Sequence, residues 1–371
     1  MKRKIISLSL LIGIFGLFSS CGSSTKDATI SDVYFTESIT AEGMNKVFAT
    51  IEKELHGKIG VKVHFGQPGN EYYVKPPLFE AIVKKINGTF VETNVLYNGD
   101  RHLTESHIQV AKDHGFTYAP IDILDSEGEI VVTDVEGAKH YKEFFLGSHL
   151  NNYDSYLILS HFKGHGSAGF GGAIKNLSMG FATPHGKLAQ HKNNIPVVND
   201  KCIGCGICLA ECPNGAITLD PLTVDLDKCI GCGKCIDACP TKALRMPEGG
   251  DMHTVFCERL VEYAKAVKKD HDMVYINVLV DISTSCDCSG HPGKPFVPNI
   301  GILASTDMVA IEKASHDLVS IAHNCDDPFQ KVIDASGKRQ IEYAYELKMG
   351  NKNYRLVDLD KNTSKIVKSQ Y

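Results

Sequence analysis

The 371-residue sequence predicts an α/β fold, a mostly parallel sheet with helices on both faces, interrupted by a small cysteine-rich α+β insert. Three observations predict it. Strand-like and helix-like hydrophobic patterns alternate as far as about residue 195, and the alternation resumes after about residue 249. Between these stretches, eight of the thirteen cysteines fall within the 38 residues from Cys202 to Cys239. Alternating β and α patterns specify parallel strands covered by helices, because each parallel crossover needs a long connection that a helix supplies.

Taken in order, the chain opens with MKRKIISLSLLIGIFGLFSSC: three basic residues, an apolar run from Ile5 to Phe18, and small residues before Cys21. This is a signal-peptide pattern over residues 1–20, too short for a membrane span of about 20 apolar residues. LFSSC resembles a bacterial lipobox, with Phe18 where leucine is commoner, which makes Cys21 the expected lipidated first residue of the mature protein. An uncleaved membrane anchor is the alternative. Residues 21–32 then form a polar tether, and acyl chains on Cys21 would hold the protein to a membrane of the cell envelope.

The first part of the α/β domain, 33–194, carries helical spacing in 41–55, a strand in 58–66, and a helix over 76–86 that begins at proline. A strand at 93–99, a helix through 106–116 and strands at 129–135 and 155–161 follow. The second part, 250–345, supplies an amphipathic helix at 252–267, an apolar strand at 273–282 and a helix at 306–323. The C-terminal segment 346–371 is polar, with a terminal strand around NYRLVDL. Lys plus Arg number 39 against 44 Asp plus Glu, for a net charge of -5. That balance offers no basic surface to nucleic acid and no polybasic patch to a membrane.

Within the insert, 195–249, Cys202, Cys205, Cys208 and Cys212 map onto Cys229, Cys232, Cys235 and Cys239 at a constant offset of 27. Each half of this duplication reads C-x2-C-x2-C-x3-C-P, the bacterial ferredoxin pattern in which three thiolates hold one [4Fe–4S] cubane and the fourth reaches the other. Cys202, Cys205, Cys208 and Cys239 are therefore assigned to one cluster, and Cys229, Cys232, Cys235 and Cys212 to its partner. Gly204, Gly206, Gly231 and Gly233 permit the backbone curl that aims amides at the sulfurs. Zinc sites use two CxxC pairs across a longer gap instead. Two adjacent cubanes make an electron relay, and a module of roughly fifty residues would draw much of its folding energy from them.

Two loops follow apolar strands and belong at a carboxyl-end sheet edge, where α/β domains place ligands. In the first, SHFKGHGSAGFGGAIKNLSMG, Lys163 and Lys175 are candidates for holding an anion, while His161 and His165 form an H-x3-H pair that can share a metal. Gly164, Gly166 and Gly169 spell G-x-G-x-x-G, but no acidic residue ends a following strand about twenty residues on, so a dinucleotide site has little support. The second loop, STSCDCSGHPGKP, offers Cys286, Cys288 and His291 as a possible second metal site, or a C-x-C pair that is a disulfide or two free thiols. Cys257 and Cys325 read as packing thiols. His64, Arg101 and His107 have no spacing that singles them out.

These stretches, with VKVHFGQPGN, TNVLYNGDR and CDCSGHPGKPFVPNIGILASTDMVAIEKASHDL, resemble the bacterial and archaeal iron–sulfur proteins of the domain of unknown function 362 family over most of residues 58–320. The resemblance implies the α/β fold and the clusters, and a shared site of His161, Lys163, His165, Lys175, Asn176, Asp287 and Cys288. It implies no substrate. The expected function is an oxidoreductase whose insert exchanges electrons with a small-molecule substrate at these loops and with a redox partner protein. The alternatives are a membrane-anchored electron carrier that docks a partner protein, or an iron or cofactor handling protein.

Overall fold

The computed structural model describes residues 30–191, 195–231, 233–245 and 251–369. The expectations for the signal peptide, for Cys21 and most of the tether, and for Cys232 fall outside the described residues.

The first half supplies β1 (Ser31–Thr36), α1 (Ala41–Phe48), β2 (Ile59–Lys62), α2 (Glu80–Lys85), β3 (Thr89–Glu92), α3 (Thr104–Asp113) and β4 (Ile121–Ile123). A hairpin, β5 (Glu129–Val132) with β6 (Phe144–Gly147), leads to β7 (Ser155–His161). A second hairpin, β8 (Lys163–His165) with β9 (Gly169–Gly171), leads to α4 (Ala173–Phe181) and α5 (Pro184–His191). The cysteine module contains β10 (Val197–Val198), α6 (Ile207–Glu211), β11 (Ile217–Thr218), β12 (Thr223–Val224), α7 (Lys234–Asp237) and β13 (Leu244–Arg245). Then come α8 (Asp251–Lys268), β14 (Asp272–Leu279), β15 (Gly301–Ser305), α9 (Met308–His323), α10 (Pro328–Ile333), α11 (Lys338–Glu346), β16 (Tyr354–Asp358) and β17 (Thr363–Val367).

Nine strands form one sheet in the order β17–β16–β1–β15–β14–β7–β2–β3–β4. The run β14–β7–β2–β3–β4 is parallel throughout, as is the pair β1–β16, and the remaining pairs are antiparallel. The fold is thus α/β with a large, mostly parallel sheet, as the alternating pattern predicts. Successive strand residues face opposite sides of a sheet, and the core divides accordingly. On β7, Tyr156 and Ile158 pack in one cluster with α4, α8 and α9, while Leu157 and Leu159 pack in the other with α1 and the aromatic side chains Phe65, Phe79, Phe90 and Phe116. Strands buried on both faces read as continuous apolar runs. This is why SYLILSH lies inside the sheet along its full length, all seven residues buried.

Three elements differ from expectation. The strand expected at 93–99 lies four residues earlier, at β3, and Thr93 to Tyr97 run off the sheet edge. There the Asn94 amide donates to Asp125 Oδ1 (2.9 Å) instead of to a ladder. The strand expected at 129–135 pairs with Phe144–Gly147 outside the main sheet, because its alternately exposed face suits a half-covered hairpin and not a central strand. The C-terminal segment is not separate: β16 and β17 extend the main sheet beside β1.

In the cysteine module, β10 and β13 pair as an antiparallel stem. Its small core holds Cys208, Ile217, Cys235 and Leu244. Gly206 (φ +75°) and Gly233 (φ +78°) precede α6 and α7 in the left-handed conformation that glycine adopts without strain, so the duplication in sequence is a duplication in backbone shape. Cys257 is fully buried on α8, as a packing thiol should be.

Candidate functional site

Four parallel strands, β14, β7, β2 and β3, end at the same edge of the sheet, and the segments that leave them enclose a cavity of about 280 Å³. After β2 comes His64; after β3, Thr93, Val95, Leu96 and Tyr97; from the last residue of β7 onward, His161, Lys163 and His165; after β14, Ser285, Cys286, Cys288, Ser289 and His291. Lys175, Asn176 and Met179 of α4 and Lys187 of α5 complete the walls. The two loops singled out in the sequence therefore meet at one site, at the sheet edge expected for ligands.

Close packing at Gly164 joins them. Its amide donates to Ser283 O (2.9 Å), and a Cβ there would stand 2.5 Å from Thr284 O. The G-x-G-x-x-G glycines lie in and around the β8–β9 hairpin, not in a turn between a strand and a helix, so they do not build a dinucleotide cradle. The amino end of α4 is likewise taken, because Ala173 N donates to Glu312 Oε1 (2.6 Å).

The predicted residues divide by their bonding. Both ring nitrogens of His161 face oxygens, Nδ1 at 2.8 Å from Asp287 Oδ1 and Nε2 at 2.6 Å from Val280 O. Lys163 Nζ donates to His161 O (3.0 Å) and pairs with Asp287 Oδ2 (3.1 Å). Burial alone would raise the Asp287 carboxyl, but His161 and Lys163 outweigh it and hold the group well below the usual carboxylate range. His165 Nδ1 accepts from the amides of Ser167 (3.2 Å) and Ala168 (3.1 Å), which leaves its ring proton on Nε2. Burial, then the nearby Lys175, pushes His165 well below its ordinary pKa and keeps it neutral. Asn176 accepts from Lys62 Nζ (2.8 Å) and donates to Leu159 O (3.1 Å) and Ser160 Oγ (3.0 Å), so it braces the wall.

Lys175 is different. Among the described residues its ammonium has neither a hydrogen bond nor an ion pair, and burial, then Lys163, lowers its pKa to about 7. Cys286 and Cys288 are bonded to each other as a disulfide on the cavity wall beside His291.

Sequence spacing misses a buried network behind these residues. Lys62 Nζ donates to Glu92 Oε1 (3.1 Å), and Glu92 Oε2 lies 3.8 Å from both Arg101 NH1 and His107 Nε2. Arg101, 1 % exposed, also donates to Gln67 Oε1 (3.0 Å) and Tyr97 OH (2.8 Å). Lys187 Nζ donates to Thr93 Oγ1, Asn94 O and Ala182 O at 2.6–2.7 Å, and burial lowers its pKa to about 8. His64, Glu92 and Arg101 follow or end strands β2 and β3, and position after a strand end is the one signal that points to them.

The cysteine module roofs the cavity. Glu211, Lys234 and Ala238, each one residue before a cysteine (Cys212, Cys235, Cys239), line it. Lys234 Nζ sits 4.1 Å from the centre of the Tyr97 ring, and Tyr97 OH donates to Cys288 O (3.1 Å). Within the module, two further small cavities separate the thiols. Cys202, Cys205, Cys208 and Cys239 line one; Cys212, Cys229 and Cys235 line the other. Of these, Cys202, Cys205, Cys208, Cys212, Cys229 and Cys239 carry free thiols. Ala216 N donates to Cys212 Sγ and Ala243 N to Cys239 Sγ, both at 3.2 Å and again 27 residues apart. Among the described residues no three His, Cys, Asp or Glu side chains converge as a single ion requires.

A family model described as Domain of unknown function (DUF362) matches residues 59–317. No curated protein matches the chain. Solved structures similar to this chain include the following two. One is the lactate racemase apoprotein from Thermoanaerobacterium thermosaccharolyticum (13 % identity, TM-score 0.37, covering 68 % of this chain and 51 % of that one). The other is a protein from Thermotoga maritima (9 % identity, TM-score 0.39, covering 77 % and 59 %). This chain spans less than two thirds of either, and likeness at this level carries no inference about chemistry.

Proposed function

Because this chain belongs to the DUF362 family, described only as a domain of unknown function, we propose its function from the site itself. It is an iron–sulfur oxidoreductase whose cysteine module holds two [4Fe–4S] clusters that exchange electrons with a small molecule in the cavity beneath. The observation that carries this reading is the shared wall: residues adjoining Cys212, Cys235 and Cys239 line the same cavity as His161, Lys163, His165 and Lys175.

The donor sets fit the clusters. Thiols gather around two cavities in the crossed 3+1 arrangement that the ferredoxin spacing requires, with Cys232 as the remaining donor outside the described residues, and amides aim at two of the sulfurs. Four thiolates around a cubane stand further apart than four around one ion, which reconciles the donor sets with the lack of a single-ion site among the described residues. The clusters would supply electrons one at a time. The chain's own residues do the rest. Lys175 holds its proton at Nζ toward the bound molecule, with no protein partner among the described residues. Asp287 fixes Lys163, and Asn176 fixes Lys62. The module excludes bulk water from above. A lipid on Cys21 would tether the protein to a membrane of the cell envelope; among the described residues no helix is long and apolar enough to cross one.

The test is purification without oxygen, followed by iron and sulfide analysis and low-temperature paramagnetic resonance. About eight irons and eight sulfides per chain, with signals from two coupled reduced clusters, are expected. Zinc in their place, or no acid-labile sulfide, refutes the proposal. Labelling with a radioactive fatty acid, lost in Cys21→Ser, checks the anchor.

A further inference from the structure

The charges around the cavity do not balance. Around the cavity stand six buried or part-buried cations, Lys62, Arg101, Lys163, Lys175, Lys187 and Lys234, against two buried carboxylates, Glu92 and Asp287, and the exposed Glu211; Lys234 sits over the Tyr97 ring. Lys62 and Arg101 share Glu92, and Lys163 is matched by Asp287. Lys187 is satisfied by three neutral oxygens. Lys175 alone has no protein partner among the described residues, although its stem packs beside Gly171 next to Lys163. A part-buried ammonium without a counter-charge is costly, and a site that retains one gains by binding an anion.

The kind of anion follows from the rest of the wall. Phosphate groups are commonly held by free amides at a helix amino end. Here that end of α4 is blocked by the Glu312 carboxylate, and the nearby glycines form a hairpin that packs on Thr284. The wall also contains Val95, Leu96 and Met179, which are apolar. One uncompensated positive charge beside an apolar surface, in about 280 Å³, matches one negative charge on a short hydrocarbon.

We propose that the cavity binds a small organic monocarboxylate, its carboxylate against Lys175 Nζ and its carbon chain against Val95, Leu96 and Met179. This deepens the redox reading by naming the substrate class of the same site, but anion binding itself does not depend on the clusters. Protonated Lys175 is the binding form, so affinity falls as pH rises through and above neutrality.

The experiment measures binding of acetate, butyrate, hexanoate, butyramide and inorganic phosphate to the full-length protein, purified without oxygen, by calorimetry and thermal shift. Iron content is determined on the same samples. Butyrate is expected to bind saturably and more tightly than acetate, with butyramide and phosphate at least tenfold weaker. Butyrate affinity should drop at least tenfold between pH 6 and pH 9 and at least tenfold in Lys175→Met, and recover in Lys175→Arg. Equal binding of butyramide and butyrate, preference for phosphate, no carboxylate binding, or an unchanged affinity in Lys175→Met overturns the proposal. The comparisons among ligands and across pH use the unaltered protein, so they stand even if a variant fails to fold. Carboxylate binding without iron would refute the redox reading alone; iron at full content without carboxylate binding would refute this inference alone.

Discussion

Replacing Lys175 by methionine should make the empty protein more stable, by an amount that depends on pH in a defined direction. The native lysine has its pKa lowered from 10.5 to about 7 by burial and by Lys163. Between those values the unfolded chain binds a proton that the folded chain does not, so native stability rises with pH across this window and falls as pH is lowered through it. Below pH 7 both states hold the proton and the loss is complete. At about 1.4 kcal/mol for each pKa unit, the gap sets a ceiling of about 5 kcal/mol. Methionine has similar length and no charge, so the advantage of Lys175→Met should vanish only above about pH 11, grow through pH 10 toward pH 7 and level off below it. Urea denaturation of both proteins at pH 6, 7, 8, 9 and 10, without oxygen and without added carboxylate, measures it. A variant less stable than the parent at pH 7, or a difference that does not change with pH, would refute the argument that Lys175 is a part-buried cation without a partner among the described residues.

Three other outcomes follow from the same geometry. Cys239→Ser should cut iron from about eight to about four per chain, because Cys239 completes the set of Cys202, Cys205 and Cys208 although it lies in the second repeat; iron analysis that finds no change removes the crossed assignment. Gly164→Ala places a Cβ 2.5 Å from Thr284 O and 2.8 Å from Ser283 O, so it should cost about 1–3 kcal/mol and lower the thermal midpoint, whereas Gly128→Ala, at a position with open space, should cost less despite its positive φ of +111°. Glu312 has its pKa raised to about 7 by burial. Its contribution is therefore full below about pH 4.5 and lost as pH rises to 7, and Glu312→Gln should flatten the stability profile over that range, read by denaturation at pH 4.5 to 7.5.

The sequence discloses most where burial is simplest. β7 is apolar from end to end because helices cover both faces, and its limits match the pattern to the residue. The same rule locates β14 and α9 within a residue or two at their starting ends. TNVLYNG misleads because alternation between apolar and polar residues describes a half-covered strand equally well as a cavity wall. Val95, Leu96 and Tyr97 face a pocket instead of a core. His161, Lys163, His165 and Lys175 are legible from their place after an apolar strand, and the structure brings all four together with Cys286, Cys288 and His291. Glu92, Arg101 and Lys187 are not legible, since their convergence joins strand and helix ends up to 95 residues apart and leaves no local spacing. Nor does the sequence separate Lys163, matched by Asp287, from Lys175, matched by nothing among the described residues.

The stem formed by Val197 with Arg245 and Val198 with Leu244 brings the start and finish of the thiol-rich segment side by side. Two neighbouring ends make the segment a cassette: it can be lifted out and its place closed by a short bridge without rerouting the sheet. Module and sheet are then separable parts, each open to exchange by a single cut-and-join event, whether by genetic recombination or at the bench.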